Sequence, residues 1–449
     1  MSASATVPTP RVLVVGAGPA GLATARALAG HGVTYDHVER YDGVGGIWDI
    51  DAPGSPMYDA AHFISSRTLS GFDGFPMPQT YPDYPNHRLI LRYLRAFADA
   101  YGLTEKVRTD VTVQRVVAGA AEGYDVTFGD GAHAHYEAVV CCTGSQWTER
   151  MPALPGEFAG TLRHSRSYRS AGEVAGKRVL VVGGGNSACD IAVDAAHTAE
   201  RVVISMRRGY WFVPKHIFGM PSDVFGARGP HLPTWLQQRV FGTMLRLLQG
   251  DPRSLGLQRP DHRLFETHPV LNSNLHLSLQ HGDVVARPGI AAVAQNQVTF
   301  ADGSSEEFDE IITATGFVHS VPYAVDLLGE GQPDLYLTAF SREHEGLFGI
   351  GYTETNSGAY GHFDALAQMI AAHLADRVDD PVRYRQFEGL LTTDHPDLSG
   401  GIHFDSSARH EGYVDAVALA HHRDQVVRQM SWTSRSPAVS HARPTVLAS

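Results

Sequence analysis

Residues 158–190 read FAGTLRHSRSYRSAGEVAGKRVLVVGGGNSACD. Their second part, Lys177 to Asp190, joins a short β-branched strand to a glycine-rich turn and then to the start of a helix. Backbone is bare at such a junction and the helix N-terminus presents unpaired N–H groups, which together suit a dinucleotide pyrophosphate. The chain opens on a second unit of this kind, Arg11 to Leu28 (RVLVVGAGPAGLATARAL). Two dinucleotide sites in one chain predict electrons passing from one cofactor to the other.

In the first unit the apolar strand RVLVV leads to Gly16, which permits the tight turn, Gly18, where a pyrophosphate approaches, and Gly21, where helix packs on strand. The next strand, YDHVE, ends in Glu39, a carboxylate at the spacing that serves a ribose hydroxyl pair. In the second unit Gly183 and Gly185 take the first two positions, Asn186 and Ser187 follow, and Ala188 stands third as a tolerated variant. Its answering strand, RVVISM, ends in Arg207-Arg208. A basic residue there suits a 2′-phosphate and so NADP rather than NAD; the alternative is a solvated basic pair.

The chain of 449 residues predicts two domains, or one with an insertion. A net charge of -12 argues against a nucleic-acid or anionic-membrane partner, which would want a basic face. Histidines are scattered rather than set in a ligand spacing, so no metal site is expected. Cys141, Cys142 and Cys189 form neither a disulfide framework nor CxxC and read as small buried residues. The start, MSASATVPTP, has neither a basic flank nor an apolar run, and no stretch approaches the ~20 apolar residues of a membrane span. A reduced, cytoplasmic setting is expected.

After the first unit, Gly43-Val44-Gly45-Gly46-Ile47-Trp48 offers backbone contact and a flat indole wall to a ligand, or simply a loop with one core aromatic. Residues 51–88 are rich in Pro, Tyr, Ser and Asp and lack periodicity, which in a compact protein points to function. An amphipathic helix (RLILRYLRAFADAYGL) and several strands follow. Two buried strands end in glycine, EAVVCC at Gly144 and DEIITAT at Gly316, and glycine there lets backbone approach a cofactor. Residues 210–275 read as an insertion whose helix, LPTWLQQRVFGTMLRLL, packs on the core or offers a homodimer face. Residues 431–449 are polar and aperiodic and read as a tail.

These features together resemble the flavin-containing monooxygenases, the class B flavoprotein monooxygenases. Phe158, Gly160, His164 and Tyr168 match that family's FxGxxxHxxx(Y/F) fingerprint just before the second glycine turn. The related Baeyer–Villiger enzymes usually carry Trp at the position of Tyr168. Gly45 to Trp48, Phe75 to Pro78, Asn186-Ser187 and Ala314-Thr315-Gly316 also match, and the likeness runs from about Arg11 to about Leu374.

The resemblance implies an α/β fold of two Rossmann-like dinucleotide-binding domains, the NADP domain inserted in the FAD domain. The FAD domain is expected over residues 1–165 and 320–430 and the NADP domain over 166–319. It further implies FAD on Gly16, Gly18, Gly21 and Glu39, walled by Gly46, Ile47 and Trp48, with Gly144 and Gly316 close by. NADP falls to Gly183, Gly185, Asn186, Ser187, Asp190 and Arg207. One departure stands out: the family's Asn near the flavin edge is replaced by Ile64, with Ser65 beside it. Ser65 is the candidate to supply the missing hydrogen bond, as a catalytic or cofactor-binding hydroxyl; an ordinary turn serine is the alternative. His164 is expected to position the linker it stands on.

The activity implied is NADPH- and O2-dependent oxygenation of a small molecule at a nucleophilic nitrogen or sulfur through a C4a-hydroperoxyflavin. Baeyer–Villiger oxygenation of a ketone, a flavin reductase or oxidase that never transfers oxygen, and a nucleotide-sensing module remain alternatives.

Overall fold

A computed structural model describes residues 11–229, 233–405, 407, 410 and 412–439. Two mainly parallel sheets organise the described chain. In the first, Ala138–Cys141, Val12–Val15, Tyr35–Val38 and Val107–Arg108 lie side by side in parallel. Leu347–Gly349 extends it in parallel, and the antiparallel strands Phe340–Ser341 and Leu335–Tyr336 complete seven. Val12–Val15 and Ala138–Cys141 are buried at every position, as uninterrupted apolar strands covered on both faces should be.

The helix Pro19–Gly30 lies against the long helix Tyr360–Asp379, both presenting small residues and leucines to a shared core. Between them the buried Arg26 pairs with the equally buried Asp364. A charge pair so deep replaces hydration with fixed geometry and is costly to break from one side.

The second sheet is wholly parallel, in the order Thr161–His164, Glu310–Thr313, Arg178–Val182, Arg201–Ser205, Val284–Arg287. One face packs on the helix Asn186–Ala195. The other packs on a smaller sheet built from Ser305–Glu307, Gln297–Phe300, Ile290–Gln295 and Gly156–Phe158. Its first strand, Thr161–His164, lies within the family fingerprint. A division of the chain at 165 therefore cuts just behind a strand of the second sheet, and Gly156–Phe158 already pairs with Ile290–Gln295.

The insertion leaves the second unit at Phe212–Val213 and returns at Val270–Leu271, and these two stems pair in parallel. Its helix Thr234–Gln249 turns Gln238, Gly242 and Leu245 inward and leaves Trp235, Val240, Leu247 and Leu248 exposed. The irregular 51–88 segment is tied to the insertion. The Tyr84 hydroxyl donates to the Lys215 carbonyl, and the Ser66 N–H donates to Asp223 Oδ2 at 2.6 Å.

The stretch read as a tail from residue 431 is anchored where it begins. Trp432 is buried, its indole N–H donates to Asp376 Oδ2 at 2.7 Å, and Gln368 exchanges hydrogen bonds with the Arg435 backbone. One large aromatic docking on a helix outweighs an otherwise polar, aperiodic stretch. Residues 440–449 of that stretch lie outside the described residues. No helix among the described residues is long and apolar enough to cross a membrane.

Candidate active site

Both glycine turns open onto one cavity of about 1760 Å³. A drug-sized ligand takes a pocket of ~300–1,000 Å³, so this one has room for more than a single such molecule. Every residue assigned to a cofactor from the sequence lines it except Gly21, which lies behind the first turn and acts through packing.

At the first turn Gly16 has φ +102°, and a Cβ there would stand 2.8 Å from the Cys142 carbonyl oxygen. At the second, Gly183 has φ +144°, and a Cβ would stand 2.3 Å from the Ala314 carbonyl oxygen. Each turn is thus pressed against the end of a neighbouring strand, Cys141 or Thr313. The glycine just after each neighbour, Gly144 or Gly316, has nothing within 4 Å of the place its Cβ would take. Tight glycines behind and open glycines in front make a cradle with free backbone on its ligand side, which fits a pyrophosphate at each helix N-terminus.

Glu39 is buried behind the first turn. Its Oε2 accepts the Ala17 N–H at 2.6 Å and its Oε1 the Tyr41 N–H at 3.1 Å. Burial pushes its carboxyl up from the ordinary value, opposed by those backbone donors. Each oxygen keeps a lone pair for a ribose hydroxyl. Beside it the Arg40 guanidinium stacks 3.9 Å from the centre of the Trp147 ring, and both residues line the cavity. That pair escaped the sequence reading, because stacking across more than a hundred residues leaves no local pattern.

Arg207 is exposed at the cavity rim and has no carboxylate partner among the described residues. Arg208 is occupied by Asp405, 2.7 Å away. Of the two arginines, the first is thus the one available to a phosphate. Tyr210 covers the second turn: a Cβ on Gly184 would lie 2.1 Å from its ring. The middle glycine of the GGG run was the only signal of this contact.

Three of these residues make contacts across the fold, and His164 holds its linker as expected. The Asn186 side-chain oxygen accepts the Leu271 N–H at 2.9 Å, pinning the returning stem of the insertion to the helix start. Asp190 accepts the Tyr58 hydroxyl at 3.2 Å on one oxygen and the Asn272 amide at 2.7 Å on the other. His164 is buried and accepts the Arg166 N–H on Nδ1 at 3.2 Å, so its proton sits on Nε2 and is given to the Gly316 carbonyl at 3.0 Å. Desolvation lowers its pKa, and a neutral imidazole held at both nitrogens fixes the linker beside Gly316.

On the irregular 51–88 segment Ile64 is 43% exposed and lines the cavity. Ser65 Oγ accepts from Ser70 Oγ at 2.8 Å, which leaves its own proton for a partner in the cavity. Trp48 stands edge-on to Phe63 with ring centres 5.2 Å apart, so the indole is held as a wall. All three cysteines are buried and free, and Cys142 is pushed up to about 12 by burial. Among the described residues no cluster of three His, Cys, Asp or Glu side chains could hold a metal.

The profile of the family described as FMO-like, flavin-binding monooxygenase-like, matches residues 9–343. The chain belongs to this family. FAD and NADP are accordingly its cofactors. It is 30% identical to flavin-containing monooxygenase 5 of Oryctolagus cuniculus over 338 residues, 70% of this chain and 63% of that protein. The chain therefore spans less than two thirds of that relative's length. It is 31% identical to the indole-3-pyruvate monooxygenase YUCCA1 of Oryza sativa subsp. japonica over 360 residues, 77% of this chain and 87% of the relative.

Solved structures share the fold. S-allyl-L-cysteine S-oxygenase from Allium sativum superposes with a TM-score of 0.65 at 21% identity, over 95% of this chain and 90% of that one. Cyclohexanone monooxygenase from Rhodococcus sp. Phi1 bound to NADP+ gives 0.72 at 17% identity, over 96% and 99%.

Proposed function

We propose that the chain is an NADPH- and O2-dependent flavin monooxygenase that oxygenates a small molecule at a nucleophilic nitrogen or sulfur. The observation that carries this reading is the single cavity joining the two cradles. It lets a hydride donor and a flavin meet without leaving the protein. Bound FAD supplies the oxygen-activating chemistry and NADPH the reducing equivalents.

The chain's own residues hold, orient and screen. The Gly16–Gly18 turn and Glu39 take the FAD pyrophosphate and ribose, and Trp48 walls the ring system. The Gly183–Gly185 turn takes the NADP pyrophosphate, and Arg207 the 2′-phosphate. Ser65 turns its hydroxyl proton toward the flavin edge, and Ile64 lends that edge an apolar neighbour that excludes water. Tyr168 supports the heteroatom reading over Baeyer–Villiger oxygenation. It is a buried tyrosine whose hydroxyl donates to Asp194 at 2.6 Å, where the ketone-oxygenating relatives usually have Trp.

A second reading, a reductase or oxidase that releases hydrogen peroxide, draws on Ile64, whose side chain offers no hydrogen bond at the flavin edge. One measurement separates the readings. Flavin-loaded protein is given NADPH in air with panels of thioethers, tertiary amines and ketones, and product and peroxide are counted per NADPH oxidised. An S-oxide or N-oxide in near-stoichiometric yield is expected. A lactone or ester from the ketones moves the assignment to Baeyer–Villiger chemistry, and stoichiometric peroxide with no oxygenated product overturns the oxygenase reading.

A further inference from the structure

The helix that opens the second cradle carries an acid that faces the cavity, Asp190, one turn in from the helix start at Asn186. Four residues at 1.5 Å rise put it about 6 Å along the axis from that N-terminus. What accessible surface it has opens on the cavity, and its hydrogen-bond partners are neutral. The Tyr58 hydroxyl from the 51–88 segment donates to Oδ2, and the Asn272 amide from the insertion donates to Oδ1. Among the described residues no Lys or Arg pairs with it at ion-pair distance, although Lys215 of the insertion and His62 of the 51–88 segment favour its charge from farther away. On its own helix Ser187 bonds the Tyr58 hydroxyl and Cys189 is buried and neutral. Burial outweighs the helpers and pushes the Asp190 carboxyl up to about 6.

A dinucleotide pyrophosphate brings two negative charges to the start of this helix. A carboxylate with no cation beside it, in a cavity whose water the ligand displaces, is disfavoured by like charge and by lost solvation together. We propose that Asp190 takes up a proton from solvent when NADP(H) binds the second turn, so that binding of this cofactor is coupled to protonation at the junction of the 51–88 segment, the helix and the insertion. The network accommodates the acid form. The Tyr58 oxygen has a lone pair to accept the new proton, and the Ser187 hydroxyl is within hydrogen-bond reach to take the tyrosine's. Tyr58 and Asn272 thus stay attached in either state, and the contact between domains survives the titration.

The inference rests on the second turn being the NADP site, and the experiment keeps the two apart. Flavin-loaded protein is titrated with NADP+ calorimetrically at pH 7 in buffers of different ionisation enthalpy, and Asp190→Asn is treated identically. A rise of one pKa unit on binding predicts uptake of about 0.4 proton per NADP+ in the parent relative to the variant. It also predicts an affinity that tightens about fivefold between pH 8 and pH 6. The 2′-phosphate, which binds best as a dianion, works in the opposite direction and equally in both proteins.

Tyr58→Phe removes one donor from the carboxylate and should move the pH of greatest uptake upward. Equal proton uptake in parent and Asp190→Asn, with both binding NADP+, overturns the proposal. Should the Asn variant fail to fold, parent affinity for NAD+, which lacks the titrating 2′-phosphate, that weakens steadily from pH 8 to pH 6 overturns it alone. Absence of any NADP+ binding to the flavin-loaded parent overturns the site assignment, and the proton linkage with it.

Discussion

A Cβ added to Gly21 at the first turn would stand 1.8 Å from the Gly16 carbonyl oxygen, whereas the equivalent position at the second turn is already Ala188. The first helix is drawn hard against its strand, and the second stands off by enough to admit a methyl group. The coverings differ too. Gly18 faces Gly46, backbone against backbone, while Gly184 lies under the Tyr210 ring. So do the recognition charges: Glu39 is buried and already bonded to two backbone N–H groups, and Arg207 is exposed at the rim. On the proposed reading the first turn would discriminate by shape enforced through backbone, the second by a solvated charge.

The contrast breaks most sharply at Gly21. Gly21→Val should abolish flavin retention, read as loss of the visible flavin absorbance in purified protein. The added side chain must displace backbone rather than a flexible neighbour, and overpacking of that kind costs about 1–3 kcal/mol or more. Retained yellow colour would show the first helix to be free to move. At the second turn the large effect should come from charge. Arg207→Ala is expected to weaken NADPH binding by about 10- to 100-fold at low salt, the loss of one or two charge-assisted hydrogen bonds. NADH affinity should hardly change, and the NADPH penalty should shrink as ionic strength rises. Equal losses for the two nucleotides would remove Arg207 from the 2′-phosphate.

Glu39→Gln should weaken FAD binding by about 3- to 10-fold, since the amide keeps one acceptor and loses one. The same site sets a pH dependence. Because burial raises the Glu39 pKa, parent affinity for FAD should fall as acidification protonates the carboxylate, and do so at a higher pH than for an exposed glutamate. The Gln variant should be flat over that range. The smallest effect is expected from Ala188→Gly, which removes a methyl group from a turn that has room for it. NADP affinity should stay within about threefold, helix propensity aside.

The centre of each sheet was legible in the sequence because Val12–Val15, Ala138–Cys141, Arg178–Val182 and Glu310–Thr313 are short, largely apolar and run to a glycine, a pattern that needs no tertiary information. Glu39 and Arg207 were singled out by their distance beyond each turn, and both line the cavity. What the sequence hid were contacts between distant segments. Asn186 looks like a ligand residue beside a pyrophosphate, yet its oxygen is taken by the Leu271 N–H, 85 residues away. Asp190 looks the same and joins Tyr58 to Asn272. The tail reading failed at Trp432 because one buried aromatic carries no periodicity. Thr161–His164 went unassigned to the second sheet because a four-residue edge strand of mixed polarity looks like linker until its parallel partner, Glu310–Thr313, is known.

The paired stems Phe212–Val213 and Val270–Leu271 have a consequence for how such a chain diversifies. The excursion between them starts and finishes at one spot, so its length and content can change without shifting a strand of the nucleotide-binding sheet. Yet it supplies cavity wall, through side chains such as Ile217, Phe241 and Leu264. Held at one spot, the segment can be exchanged as a cassette, bringing new side chains to the cavity while the sheet that carries the second glycine turn stays as it is.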